Sequence, residues 1–290
     1  MSAKIMIHTM VARRQRRATF AYLAPLLVLY FAFLVVPYAL LLRMSLNRYS
    51  SMSIFIEDVT AANYKVVLTD PFYIELMLRT VALAGVVTLA TLILGYPLAL
   101  AIVRARGSRK SLLLGIALSP LIINLVVRTY GWMALLGDQG IINRWLLDIG
   151  LVSGPLPISA NFFAVAVGLT HMTLPMMVLS LLGVMETIEP ALLEAAESLG
   201  ASAARIQTRI IMPLALPGVS AGSLLVFCFT TSAFVTPALL GGNRVSTVST
   251  VIYEKFTYSL NWPVGAALVF VLLALNLALI AAHARLFRER

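Results

Sequence analysis

Residues that could perform covalent chemistry are few in this sequence, and their spacing is unfavourable for catalysis. His171 and Ser180 lie in one apolar run, where nine residues of helix would separate them by about 13 Å along the axis. That distance is too long for a base to activate a nucleophile. No HExxH zinc-protease motif occurs. The four aspartates all lie in polar segments: Asp58, Asp70, Asp138 and Asp148. The sequence therefore indicates that the chain is not an enzyme.

Nucleotide and metal chemistry also lack their usual residues. A P-loop needs a glycine-rich turn that ends in Gly-Lys-Ser or Gly-Lys-Thr, and none of the four lysines follows a glycine. The single cysteine, Cys228, lies in an apolar run, so we expect no disulfide, no metal site and no bound cofactor. Any energy from ATP would have to come from a partner protein.

The composition is typical of an integral membrane protein. Of the 290 residues, 60% are apolar and 12% are charged, and the mean hydropathy is +0.94. The net charge of +10 comes from short basic runs beside apolar segments, which is the pattern of a topology signal. We therefore expect contact with membrane lipid and no binding of nucleic acid.

Six apolar runs predict six transmembrane helices. They cover about residues 19–42, 76–103, 112–136, 161–184, 219–240 and 264–286, and each can cross about 30 Å of hydrocarbon at 1.5 Å per residue. The first run exceeds the apolar core of a signal peptide, and no small-x-small cleavage site follows it. We expect an all-α polytopic protein with one transmembrane domain over residues 19–287. Seven small residues would allow close helix packing: Gly85, Gly95, Ala99, Ala101, Gly168, Ala221 and Gly222.

Basic residues predict the orientation of these helices. The segment 1–18 is basic and is expected in the cytoplasm. With both termini in the cytoplasm, the inside segments hold fourteen lysines and arginines and the outside segments hold seven. This orientation places residues 186–218, between the fourth and fifth runs, in the cytoplasm.

The segment 186–218 is amphipathic and predicts a helix, a turn and a second helix. Thr187 is a candidate N-cap, Pro190 suits the first helical turn, and Gly200 suits a position with positive φ after the last turn. One apolar stripe is expected, formed by Leu192, Ala195, Ala196 and Leu199. Ser202 would cap the second helix.

The second helix should carry Ile206 and Ile210 on one side and Arg205 and Arg209 on the other. Pro213 and Pro217 are expected to end it, because proline lacks the backbone N–H that a helix interior needs.

Polar residues within or beside the apolar runs are candidates for a transport path. Arg128 is the charge inside such a run, so we expect it either to face a cavity or partner group, or to extend outward near Tyr130 and Trp132. His171 fits an interhelical contact or a path residue. The full candidate set is Asn124, Arg128, Tyr130, Trp132, Asp138, His171, Glu254 and Asn276.

The spacing in segment 186–218 resembles the EAA loop of ABC-importer permeases. Glu194-Ala195-Ala196 is followed after three residues by Gly200, after nine more by Ile210, and after one more by Met212-Pro213, where the family usually has Leu-Pro. The resemblance implies the six-helix type I ABC importer permease (MetI-like) fold. It also implies that the loop docks on a cytoplasmic ATPase. The residues that would couple to the ATPase are Glu194, Ala195, Ala196, Gly200, Ile210 and Pro213. An ordinary amphipathic hairpin at the membrane surface is the alternative.

Three further stretches resemble the first permease of spermidine/putrescine-type importers: residues 127–132, 140–143 and 234–242. This resemblance implies a bacterial inner-membrane protein that forms a hetero-dimer with a second permease. Its other partners would be a periplasmic binding protein and an ATPase dimer that binds ATP and Mg. Related permeases serve opines, aminophosphonates and ferric iron, so these cargoes stay open. A stand-alone membrane enzyme or channel is the alternative of another class.

The residues of the chain fit a polyamine substrate only in part. A polycation favours carboxylates and aromatic faces. On the predicted outer side the chain offers Asp138 and Glu254 beside several aromatic residues: Tyr130, Trp132, Tyr253, Tyr258 and Trp262. Its apolar runs, in contrast, contain no carboxylate and do contain Arg128.

Overall fold

The computed structural model describes residues 23–52, 54–242 and 244–288. The predicted cytoplasmic segment 1–18 and the start of the first run lie outside these residues. The described helices are α1 (Leu23–Ser45), α2 (Ala62–Thr69), α3 (Pro71–Arg104), α4 (Ser108–Ile122), α5 (Leu125–Leu136), α6 (Ile141–Asp148), α7 (Phe162–Met185), α8 (Pro190–Ser198), α9 (Ala203–Ser232), α10 (Val235–Leu240), α11 (Val248–Thr257) and α12 (Trp262–Arg288). A small antiparallel hairpin pairs β1 (Arg48–Ser50) with β2 (Ile54–Ile56) between α1 and α2.

Five helices, α1, α3, α7, α9 and α12, are long and apolar enough to cross a membrane. The bent segment from Ser108 to Asp148 gives a sixth span if it is counted as one. The predicted number of six is therefore reached only with a broken helix.

The helices α3, α7 and α9 pack side by side and form the core of the protein. Its largest fully buried side chains include Leu83, Leu169, Met177 and Leu181. Apolar residues also cover the outer surfaces of the long helices, as expected where lipid replaces water. Packing density and close approach, rather than removal from water, then hold the helices together.

Glycines bring α9 close to α7. A Cβ on Gly218 would lie 2.9 Å from the Ser180 carbonyl oxygen, and a Cβ on Gly222 would lie 2.8 Å from the Met177 Sδ. Gly168 similarly faces α10, where its Cβ would lie 2.5 Å from Leu240 Cδ1. A larger residue at any of these positions would push two helices apart. The predicted role in close packing is confirmed for Gly95, Gly168 and Gly222. It is wrong for Gly85, where a Cβ would meet nothing within 4 Å.

The predicted third span, residues 112–136, is wrong as a single helix. The chain bends by 101° between α4 and the segment that begins with α5. Ile123 and Asn124 are extended, and the Asn124 Oδ1 accepts a hydrogen bond from the Val126 N–H at 2.9 Å, which caps α5. Arg128 then donates to the Pro120 carbonyl in the last turn of α4, one of the carbonyls that the break leaves without a helical partner.

The predicted fifth span, residues 219–240, also differs from the structure. Helix α9 begins at Ala203, passes through a π turn at Gln207–Ile211, and ends at Ser232 before the separate helix α10. The prediction that Pro213 and Pro217 end the second short helix is wrong. In the π turn the Met212 N–H bonds to the Gln207 carbonyl, so the bonding pattern has already changed where Pro213 begins the next regular segment.

Candidate functional site

The EAA-like spacing begins in helix α8 and continues through the turn after it into the start of α9. We name residues 190–211 the α8–α9 corner. Helix α8 begins at Pro190 as predicted, but Thr187 is not its N-cap. The Thr187 hydroxyl instead donates to the Val184 carbonyl at 2.8 Å, while Glu189 occupies the cap position without a side-chain bond. Thr187 therefore closes the end of α7 rather than the start of α8.

The turn itself explains the spacing between Ala196 and Gly200. Gly200 has φ +79°, the Gly200 N–H donates to the Glu197 carbonyl at 2.9 Å, and the Ala201 N–H donates to the Ala196 carbonyl at 3.0 Å. These two bonds are those of a Schellman motif, which needs a left-handed residue just after the helix. The predicted positive φ at Gly200 is confirmed.

The apolar stripe of α8 is open to the surroundings. Leu199 is 88% exposed and Leu192 is 45% exposed, and Glu194 and Ala195 are exposed beside them. Ala196 is half-buried. A stripe of this kind is normally covered by another surface. In the described part of this chain nothing covers it.

The other half of the corner faces inward. The Ser202 Oγ accepts a hydrogen bond from the Arg205 N–H at 3.4 Å, so the predicted cap is confirmed. Ile206 and Ile211 are each 5% exposed, whereas Ile210 is only half-buried. Arg205 and Arg209 are exposed, so the predicted separation of the two isoleucines from the two arginines is confirmed. The most buried positions are nevertheless Ile206 and Ile211 rather than Ile206 and Ile210, because the π turn inserts one residue.

Side-chain hydrogen bonds tie this corner to the transmembrane core. The Gln207 Nε2 donates to the Tyr96 hydroxyl at 2.6 Å, and the Gln207 Oε1 accepts from the Arg104 guanidinium at 3.3 Å. Nearby, the Lys110 Nζ lies 2.8 Å from the Glu186 Oε1 and joins the start of α4 to the end of α7. Two hydrogen bonds therefore join the corner to α3. The sequence analysis missed Tyr96 and Gln207, although a tyrosine inside an apolar run was a signal for Tyr96.

Trp132 of α5 and His171 meet near the middle of α7. The Trp132 Nε1 donates to the His171 Nδ1 at 3.2 Å, and the ring centroids are 5.6 Å apart. Both rings line an apolar groove of about 410 Å³ with Leu94, Phe163 and other residues of α3 and α7. The structure thus shows the interhelical contact of His171, and a role of either residue in transport stays a prediction.

Four other candidate path residues take part in bonds within the fold. Asn124 caps α5 and Arg128 bonds to Pro120. The Asn276 Oδ1 accepts from the Thr231 hydroxyl at 2.9 Å, and the Asp138 Oδ1 accepts from the Ser159 hydroxyl at 2.9 Å. Of the two expectations for Arg128, the structure favours a partner group, which is a backbone carbonyl of the same segment. Tyr130 is 55% exposed.

Glu254 lies in a different environment, which we name the aromatic pocket: Phe234, Tyr253, Glu254 and Tyr258, at the end of α9 opposite the corner. The Tyr253 ring packs against the other two, with its centroid 4.5 Å from that of Phe234 and 6.0 Å from that of Tyr258. The pocket encloses about 440 Å³, and Asp138 is not part of its lining. Sequence analysis missed Phe234, which reaches the pocket because α9 breaks at Ala233.

Comparison with other sequences identifies relatives over most of the chain. The family described as binding-protein-dependent transport system inner membrane component matches residues 19–289. The chain is 34% identical to the spermidine/putrescine transport system permease protein PotB of Haemophilus influenzae over 87% of this chain and 88% of that protein. It is 38% identical to the PotB protein of Escherichia coli K12 over 69% of this chain and 73% of that protein.

Solved structures show the same fold. A bacterial ABC transporter involved in the import of the acidic polysaccharide alginate matches with a TM-score of 0.78 and 19% identity, over 97% of this chain and 99% of that chain. The same kind of transporter in complex with an alginate pentasaccharide-bound periplasmic protein matches with a TM-score of 0.77 and 19% identity, over 95% and 96% of the two chains. The fold is that of a type I ABC importer permease. This chain belongs to the binding-protein-dependent transport system inner membrane components, and it is a multi-pass transporter permease of the inner membrane rather than an enzyme.

Proposed function

We propose that this chain is one of two different permease subunits of a polyamine importer. A periplasmic binding protein delivers spermidine or putrescine, and a separate ATPase dimer, which binds ATP and Mg, drives transport. The relatives named for spermidine and putrescine support this substrate, since they are alike over most of their length. An opine, an aminophosphonate or ferric iron would use the same machinery, and each is an outcome of the test below.

The observation that carries the coupling role is the open apolar stripe on α8. A nearly fully exposed leucine beside exposed Glu194 and Ala195 is a surface that a protein cleft can cover. The corner is also attached to α3 through Gln207, so a moving partner could displace the transmembrane core. Glu194, Ala195, Ala196 and Gly200 would form the docking surface, with Ile210 and Pro213 in the helix that continues into the membrane.

The orientation follows from charge. Arg104, Arg106, Arg109 and Lys110 lie at the same end of the helices as the α8–α9 corner. The twofold excess of basic residues in the segments predicted to lie inside supports a cytoplasmic position for the corner and for both termini. The aromatic pocket then faces the periplasm.

Uptake by the reconstituted complex tests the function. This chain is purified with its partner permease and ATPase and placed in liposomes, and the loaded binding protein, ATP and radiolabelled spermidine are added. We expect ATP-dependent uptake, and none when the P-loop lysine of the ATPase is replaced. Liposomes with this chain alone should take up nothing.

Three results would contradict the proposal. Uptake by this chain alone would favour a channel. Failure of the ATPase to co-purify would favour a simple amphipathic hairpin. ATP-dependent uptake of an opine, an aminophosphonate or ferric iron, but not of spermidine, would change the substrate while leaving the coupling role intact.

A further inference from the structure

We propose that the aromatic pocket, Phe234, Tyr253, Glu254 and Tyr258, binds one ammonium group of the substrate as it leaves the binding protein. This inference rests on the polyamine transport proposed above. It assigns to Glu254 a role that the other candidate carboxylate, Asp138, does not share.

The pocket combines the two groups that attract an organic cation. The Tyr253 ring packs against both Phe234 and Tyr258, and Glu254 lines the same cavity. An ammonium group within about 6 Å of a ring centroid is attracted by the negative face of the ring, and a carboxylate adds a charge-assisted hydrogen bond. The cavity beside the rings therefore offers both kinds of group to an alkylammonium chain.

Glu254 is available for a ligand, whereas Asp138 is engaged. The Glu254 carboxylate is exposed and makes no hydrogen bond or ion pair to a side chain in the described part of the protein. Asp138, in contrast, accepts a hydrogen bond from Ser159 at 2.9 Å. A passing cation would therefore meet an unbonded carboxylate at Glu254 and a hydrogen-bonded carboxylate at Asp138.

The basic residues nearby do not occupy the pocket. The Lys255 side chain starts on the side of α11 that packs against α12, since its Cβ would lie 3.2 Å from a Cβ added to Gly265. Arg244 lines an adjoining cavity together with Arg79, and Val245 and Ser246 form a wall shared by the two cavities. A cation would therefore reach Glu254 from the side away from Arg244.

The position of the pocket fits an early step of transport. It lies where α9 ends at Ser232, at the opposite end from the α8–α9 corner, and Tyr258 is 73% exposed. A substrate released from a binding protein at this end would meet the pocket before the core helices. The pocket is therefore a receiving site rather than a site of coupling.

Matched carboxylate variants test the proposal in the complete reconstituted complex. With radiolabelled spermidine and a fixed amount of loaded binding protein, Glu254→Gln should lower the initial rate of uptake about tenfold at low salt, because it removes the charge and keeps the shape. Asp138→Asn should lower the rate by less than about twofold. Co-purification of the partner permease and the ATPase shows whether each variant complex is assembled.

Salt and ring variants distinguish binding of a cation from a structural role. The ratio of wild-type to Glu254→Gln rates should shrink as salt rises, since salt screens exposed charges beyond about 10 Å at 0.1 M. Tyr253→Phe should keep most of the activity, and Tyr253→Leu should lose it several-fold.

Equal rates for wild type and Glu254→Gln would overturn the inference, as would a ratio that does not change with salt. Both results leave wild-type uptake, and so the proposed function, intact. Absence of spermidine uptake by the wild type would overturn both.

Discussion

The two ends of helix α9 leave opposite kinds of groups uncovered. At the α8–α9 corner, the polar side chain of Gln207 bonds within the fold, and the apolar Leu199 stays 88% exposed. At the other end the rings of Phe234 and Tyr253 pack against each other, and the carboxylate of Glu254 is open. The corner therefore exposes apolar surface that a protein could cover, and the other end exposes a charge that a cation could bind.

The two kinds of exposed group suit contacts that last for different times. Apolar surface gains most when a protein covers it over a large area and for a long time. An open carboxylate beside aromatic rings can hold a cation and release it, because water competes for both. We therefore infer that the corner belongs to a lasting subunit interface and the aromatic pocket to a passing solute.

The largest effect is expected from a charge placed at the corner. Gly200→Asp should lower spermidine uptake by about tenfold or more, because the new carboxylate lies on a surface that an apolar interface has to cover. Gly200→Asn is the matched control: it has the same shape, and both residues tolerate positive φ better than other side chains. Since a Cβ at position 200 would meet nothing within 4 Å, neither variant should clash.

Uptake by reconstituted complexes and co-purification of the ATPase measure this difference. We expect Gly200→Asn to keep most of the uptake and Gly200→Asp to lose both uptake and tight binding of the ATPase. Equal losses in the two variants would show that the backbone conformation matters and the surface does not. The exposed apolar surface of the corner would then not be what binds the ATPase.

The sequence predicted the corner better than the helices around it. The turn was predictable because Gly200 and Ser202 act on their nearest neighbours. The break at Ile123 and Asn124 was not, because neither residue is a strong helix breaker and the surrounding run, apart from Arg128, is mostly apolar. Hydropathy reports the composition of a run and contains no information on its φ and ψ angles.

The site contacts were harder to predict than the turns. Gln207 bonds to a tyrosine 111 residues earlier, and Trp132 bonds to a histidine 39 residues later. Such contacts depend on how whole helices pack, which a single sequence does not reveal. The π turn also shifted the inward position from Ile210 to Ile211, and a regular helical repeat cannot anticipate that shift.

A smaller, several-fold effect is expected where the corner meets α3. Gln207→Ala and Tyr96→Phe each remove the same hydrogen bond, worth about 0.5–1.5 kcal/mol. Each should lower the amount of spermidine moved per ATP hydrolysed, because the corner would move with less pull on α3. Gln207→Ala also removes the bond from Arg104. The double variant should therefore be no worse than Gln207→Ala, since Tyr96→Phe removes only a bond that Gln207→Ala has already lost.

Thr208→Ala is the control for this pair, because the Thr208 hydroxyl donates only to the Ala204 carbonyl within its own helix. The ratio of transported spermidine to released phosphate measures coupling in all four variants. Additive losses in the double variant would show that Tyr96 and Gln207 act separately, and the corner would then not transmit motion through this bond.

The smallest effect is expected from the ion pair between Lys110 and Glu186. Its side chains are 39% and 47% exposed, and exposed pairs typically contribute about 0–1 kcal/mol. Lys110→Glu and Glu186→Lys should each change uptake by less than about twofold, and the double swap should restore the wild-type rate. A loss as large as that of Gln207→Ala, which the swap repairs, would mean that the pair transmits motion as strongly as the half-buried hydrogen bond. Coupling would then depend on α4 and α7 as much as on α3, and high salt would weaken it.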